Sequence, residues 1–93
     1  MYFLYILQCA DKSFYTGITT DVARRIEEHN TTELGARYTR GRRPCKVVFI
    51  KEFENRSTAS SEEAHVKALS RVKKTELIKK HHRFTKVHLH DMF

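Results

Sequence analysis

Arg25 and His29 stand four residues apart in the segment TDVARRIEEHN, and Val22 precedes the arginine by three. On a helix of about 3.6 residues per turn these positions share one face, whereas Arg24 points away. Val22 and Ile26 make that face apolar, so the helix carries a guanidinium and an imidazole toward whatever it packs on. A guanidinium withdrawn from water requires an anion, either a carboxylate of the protein or a bound phosphate. A candidate carboxylate lies downstream. In SSEEAHVKAL, Glu63 follows Ala59 by four residues and precedes Val66 by three, which sets it on the apolar side of a second helix. Two structural readings compete with a reactive one. Ser60 and Glu63 have the spacing of a capping box, in which Glu63 only reaches back to the helix start, and an Arg25 to Glu63 ion pair could be purely structural.

Positioning these groups falls to a chain of 93 residues, enough for one small domain with one core and one site. Tyr2 to Cys9 is aromatic or branched at successive positions, which suits a central strand covered on both faces. The turn ADKS leads to a second strand, Phe14 to Thr19, so the chain opens with a hairpin. Thr20 is expected to cap a helix over residues 21–30, with Asp21 at its positive end. Residues 31–44 are rich in Thr, Gly and Arg, lack apolar periodicity and read as a loop closed by the only proline. CKVVFIKEF, residues 45–53, is a third strand, and ENRS ends it before a helix from about Ser57 to Leu69 with Ala59, Val66 and Leu69 inward. A basic helix follows from Ser70 to about Lys80. The expected fold class is α+β: a small three-stranded sheet, mixed or antiparallel, flanked by helices. Residues 1–80 form the domain, and residues 81–93 are a basic, His-rich tail expected to be partly disordered.

Eighteen Lys and Arg against eleven Asp and Glu give a net charge of +7 and a pI near 9.7. The excess is local. Arg37, Arg40, Arg42 and Arg43 fall within seven residues, and the stretch from Lys67 to Lys86, which includes Lys73 and Lys74, holds Glu76 as its only acid. Clustering of this kind is the electrostatic footprint of a nucleic-acid binder, against the alternative of a solvated basic face. Tyr38 among the arginines suits base stacking or packing onto the core, and the arginines are the better candidates for phosphate contacts. Cys9 and Cys45 lie in apolar strand-like runs without a CxxC motif, which reads as reduced core thiols in a cytoplasmic protein. The apolar run Tyr2 to Leu7 is too short to span a membrane. His81, His82, His88 and His90 lack a zinc-site spacing and are expected to be surface or tail residues.

Taken in order, these segments resemble the GIY-YIG nuclease superfamily, in particular its small stand-alone bacterial members. LYI at residues 4–6 stands where the family has its GIY element, and YTG at 15–17 where it has YIG. Arg25 follows the glycine by eight residues, as the family arginine does, with His29 one turn later, and EEAHVKALS resembles the helix that bears the family's metal-binding glutamate, here Glu63. The resemblance runs from about residue 2 to residue 78. It implies hydrolysis of a phosphodiester with a single Mg²⁺ or Mn²⁺ held by Glu63, a scissile phosphate held by Arg25, help from His29, and a water activated by Tyr5 or Tyr15. A free phenol is only about one part in a thousand ionised at pH 7, so its surroundings must lower that barrier by up to ~4 kcal/mol.

Three departures accompany the resemblance. Leu4 replaces the first glycine, no asparagine follows Asn55, and Lys12 occupies a turn where glycine is usual. For Tyr5 and Tyr15 to share a face, the hairpin loop needs an odd residue count with one residue in the left-handed region, a strain of about 1 kcal/mol or more on Lys12 or Ser13. The function expected is a metal-dependent DNA endonuclease, structure-selective or weakly sequence-specific, serving repair or recombination, with specificity from DNA shape, the 31–44 loop or a protein partner. The alternative is a DNA- or RNA-binding module on the same fold that has lost hydrolysis.

Overall fold

The computed structural model describes residues 1–31 and 36–81. Its centre is a three-stranded antiparallel sheet of β1 (Tyr2–Gln8), β2 (Phe14–Thr19) and β3 (Lys46–Phe53) in the order β2-β1-β3. β1 is central, as its two-sided apolar pattern predicts, because each face of it must be covered. On one face Leu4 and Ile6 pack with Phe49 and Val66 and are closed over by Leu77 and Ile78. On the other, Tyr5, Leu7, Cys9 and Cys45 pack with Tyr15, Ile26 and Val47. The second face holds the polar cluster described below.

The hairpin register pairs Tyr5 with Gly17 and Leu7 with Tyr15, so both tyrosines lie on that second face. Five residues separate the strands, and Lys12 takes the left-handed conformation at φ 71°. The odd loop and the strain at Lys12 agree with the expectation from the sequence. Lys12 N donates to Cys9 O and Cys9 N to Ser13 O, both at 2.9 Å, and Arg71 reaches across 2.8 Å to the Lys12 carbonyl. Those bonds fix the turn despite its strained residue.

Helix α1 (Val22–Thr31) starts one residue later than expected. The Asp21 side chain, rather than Thr20, caps it by accepting from Arg24 N at 3.1 Å, because the Thr19 hydroxyl first takes the Asp21 amide and turns the chain there. Within the stretch expected to be plain loop, a single helical turn forms, α2 (Arg37–Arg40), which has no apolar period to reveal it. Helix α3 (Arg56–Lys67) begins earlier than predicted because Asn55 caps it, accepting from Thr58 N at 2.9 Å. Ser60 is therefore inside the helix, and the capping-box reading of Glu63 is set aside. Helix α4 (Arg71–Lys80) is capped by Ser70, as its position before a basic run suggests. None of the described helices is long and apolar enough to cross a membrane. The expectations for residues 82–93, including the His82, His88 and His90 side chains, lie outside the described residues.

Replacing Lys12 by glycine removes a left-handed strain of about 1–2 kcal/mol and adds about 0.5–1 kcal/mol of unfolded-chain entropy. Lys12→Gly is therefore expected to stabilise the protein by roughly 0.5–1 kcal/mol, read as a higher urea midpoint at constant m-value. A lowered midpoint would refute the strained turn.

Candidate active site

Tyr5 is the hub. Its side chain is almost wholly buried, and its ring lies directly on Gly17 of the neighbouring strand, where a Cβ would come within 2.7 Å of the ring carbon that bears the hydroxyl. Only glycine leaves room for the ring in that position. From there the phenol oxygen sits 2.9 Å from His29 Nε2 and also receives a hydrogen bond from Arg25. Burial pushes the Tyr5 phenol up to about 12, and the nearby Tyr15 and Glu63 add to the rise while Arg25 opposes it.

His29 is fully buried at the end of α1, and Arg25 lies one turn before it, part-exposed. Burial, aided by the positive charges of Arg25 and Arg43, pushes His29 down to about 4, so its ring is neutral near pH 7. Its second nitrogen, Nδ1, sits 2.9 Å from the Thr39 hydroxyl of α2. Tyr15 completes the wall, its ring edge-on to His29 at 5.0 Å and against Tyr38 at 5.9 Å.

The anionic partner required by Arg25 is Glu28, one turn along the same helix, at 2.9 Å. Glu63 makes its ion pair with Lys67 instead, at 3.4 Å. α3 packs along β2 and β1, and this docking brings the Glu63 carboxylate close enough to raise the Tyr5 phenol. Tyr5, Tyr15, Arg25 and His29, drawn from three separate elements, thus form one cluster, and Glu63 of α3 acts on it through its charge.

The basic residues divide differently. Arg42 is bound to Asp11 at 3.0 Å and lies 4.1 Å over the Tyr38 ring, while the backbone and hydroxyl of Ser13, with Arg42, hold the Asp11 carboxyl below its usual range. Arg43 Nε donates to the His29 carbonyl at 2.6 Å, at the C-terminal end of α1. These two guanidiniums, proposed from the sequence for phosphate contact, are part-exposed and also have partners within the fold, which their clustering with Arg37 and Arg40 concealed. Tyr38 rests against Tyr15 and beneath Arg42 while its side chain stays exposed. Arg37 and Arg40 remain exposed on α2. Lys73 and Lys74 belong to α4, whose Leu77 and Ile78 cover the face of the sheet opposite His29.

Two participants were not singled out from the sequence. Thr39 looked like loop, and its signal is visible only once its burial is known. Glu28 follows Arg25 at the three-residue spacing of a helical ion pair, which was available to find it.

A model of the GIY-YIG catalytic domain matches residues 1–76. The chain belongs to the GIY-YIG family. This is a nuclease superfamily, and the match spans every element that contributes to the cluster. Among relatives of this GIY-YIG chain, the UPF0213 protein of Desulfotalea psychrophila is 53% identical over 78 residues, covering 84% of this chain and 71% of the relative. The UPF0213 protein of Haloquadratum walsbyi is 50% identical over 76 residues, 82% of this chain and 84% of the relative. The solution NMR structure of a UPF0213 protein from Bacillus halodurans is similar with a TM-score of 0.58 at 46% identity, covering 88% of this chain and 87% of that one. The solution structure of an E. faecalis protein aligns with a TM-score of 0.61 at 43% identity, covering 87% and 85%.

A histidine held neutral in the fold binds fewer protons than it does unfolded. Between the unfolded value near 6.5 and the folded value near 4, the unfolded chain takes up the extra proton, so stability falls as the pH drops through that window. The loss is expected to reach roughly 2–3 kcal/mol by the lower end, read from urea midpoints, and to shrink in His29→Gln. A His29→Gln profile as steep as wild type would assign the acid limb to other groups.

Proposed function

We propose that this GIY-YIG protein is a divalent-metal-dependent endonuclease that hydrolyses DNA phosphodiesters with structural selectivity or weak sequence preference, in the context of DNA repair or recombination. One observation carries the reading: a buried phenol oxygen shared by a neutral imidazole and a guanidinium, within reach of the charge of a carboxylate. That is the grouping needed to take a proton from water beside an anionic phosphate. In this reading Tyr5, rather than Tyr15, accepts the proton. Its oxygen already has polar partners ready for the phenolate, whereas Tyr15 meets His29 and Tyr38 through its ring.

Ionising a phenol of pKa near 12 at pH 7 costs about 7 kcal/mol. Binding must offset most of that. Arg25 turns toward the scissile phosphate, releasing Glu28, and its hydrogen bond to Tyr5 strengthens as the oxygen gains charge. His29 stays neutral and steadies the same oxygen through Nε2. Arg37 and Arg40 grip the flanking backbone, where each neutralised phosphate adds affinity without sequence information.

The part-buried carboxylate of Glu63 is the natural seat for the ion, with Lys67 as its present counter-charge. Among the described residues no group of three or more His, Cys, Asp or Glu side chains converges, so the donor set does not suit zinc. A lone carboxylate does suit Mg²⁺ or Mn²⁺, which keep several waters and lean on substrate oxygens. When bound, such an ion supplies positive charge beside the phosphate as it is cleaved. Cytoplasmic DNA is the partner this assignment requires, and a second protein is the natural source of further specificity.

A second reading draws on Arg25 and Glu63 both having internal counter-ions in Glu28 and Lys67. If nucleic acid does not displace them, the protein binds DNA or RNA without cutting it.

Labelled single-stranded, duplex, nicked and flap DNA incubated with Mg²⁺ or Mn²⁺ separates the two. The endonuclease predicts metal-dependent products, reduced at least ~100-fold in Glu63→Ala, Arg25→Ala and Tyr5→Phe and less in Tyr15→Phe. Salt-sensitive binding with no product on any substrate, unaffected by chelator or by Glu63→Ala, would instead establish the binding module.

A further inference from the structure

Thr39 has no part in the reading above, yet it is fully buried in a segment whose neighbours Arg37, Tyr38 and Arg40 are all exposed. Its hydroxyl lies 2.9 Å from His29 Nδ1 and 2.9 Å from the Ala36 carbonyl, while the Ala36 amide points at the same imidazole nitrogen from 3.3 Å. His29 in turn presents Nε2 to the Tyr5 oxygen at 2.9 Å. A chain of polar contacts therefore runs from α2 through the imidazole to the phenol. We propose that Thr39 is a positioning residue: its hydroxyl holds the His29 ring by Nδ1 so that Nε2 stays aimed at the Tyr5 oxygen through the reaction. This rests on the assignment of Tyr5 as the group that accepts the proton.

The chemistry explains why a hydroxyl suits this place. The ring keeps one neutral form throughout. Nε2 carries the ring proton and donates to the Tyr5 oxygen, while Nδ1, bare, accepts from the Thr39 hydroxyl, supported by the Ala36 amide. Once Tyr5 has lost its phenol proton to solvent, the proton that leaves the attacking water goes to the phenolate oxygen, which accepts from Nε2 before and after, so His29 neither gains nor loses a proton. A carboxylate at position 39 would draw the ring proton to Nδ1, and an apolar residue would leave Nδ1 only the long amide contact. No movement of the imidazole is needed.

The alternative is that Thr39 merely stitches α2 to α1. Thr39→Ser keeps the hydroxyl and drops the methyl, Thr39→Ala drops both, and Thr39→Val keeps the shape without the hydroxyl. Each full-length variant would be labelled with ¹⁵N-histidine, the His29 ring nitrogens observed by NMR, and cleavage measured on the substrate wild type cuts best. Positioning predicts that serine reproduces the wild-type ring-nitrogen signals and kcat. Valine and alanine should shift those signals and lower kcat at least about tenfold, with KM changed less than about twofold. Wild-type signals and kcat in the valine variant would overturn the proposal. If that variant fails to fold, the serine and alanine pair decides by the same two readouts. If wild type cleaves nothing, the endonuclease reading fails by itself, and the ring-nitrogen signals still show whether the Thr39 hydroxyl governs the His29 imidazole.

Discussion

The contact between the Tyr5 ring and Gly17 constrains everything else in this protein. The two residues are directly opposed in the hairpin, and the ring occupies the space a side chain would need. That placement delivers the phenol oxygen to His29 and Arg25 of the helix packed above it and to the neighbourhood of Glu63. It depends on the hairpin register, since a slip of one residue would turn both tyrosines to the opposite face. The register in turn depends on a five-residue turn that holds Lys12 at positive φ, anchored by Arg71 on one side and by Asp11 with Arg42 on the other. Local strain at the turn is thus tied to the geometry of the site.

Charge in the cluster is balanced by short-range pairs within single helices. Arg25 with Glu28 and Glu63 with Lys67 are one-turn pairs, part-exposed, of the class worth only a few tenths of a kcal/mol in a helix. Pairs so weak keep the two groups ordered and are readily exchanged for a phosphate or a cation. The buried part of the site is different in kind. Tyr5, His29 and Thr39 are withdrawn from water and joined by hydrogen bonds, and among the described residues no buried side-chain nitrogen or oxygen lacks a partner. A satisfied network of this sort is rigid, because breaking any bond in it strands a polar group. The site is an exchangeable charged rim on a fixed neutral base.

Much of this was legible in the residues. The two-sided apolar character of Tyr2–Gln8 marked the central strand, the spacing from Val22 to His29 marked which arginine turns inward, and the geometry of an odd hairpin loop pointed to Lys12 or Ser13. Helix starts were less legible. At α1 and α3 several residues that can cap lie in succession, and Asp21 and Asn55 prevailed over Thr20 and Ser60 through hydrogen bonds set by the preceding strand ends.

Sequence by itself determined the three-stranded α+β core with its central first strand, the inward arginine and histidine, and the family, because hydrophobic periodicity and residue spacing are properties of a single segment, whereas the pairing of all three strands as antiparallel came from the structure. Tertiary structure alone decided which charges meet. Glu28 rather than Glu63 answers Arg25, and Arg42 and Arg43 are spent on Asp11 and the end of α1 although they look identical in sequence to the exposed Arg37 and Arg40. Thr39 became part of the site in the same way, through a contact ten residues from its partner. A side chain's partner is fixed by the docking of separate elements, and that docking is a joint property of the whole fold that no one segment carries.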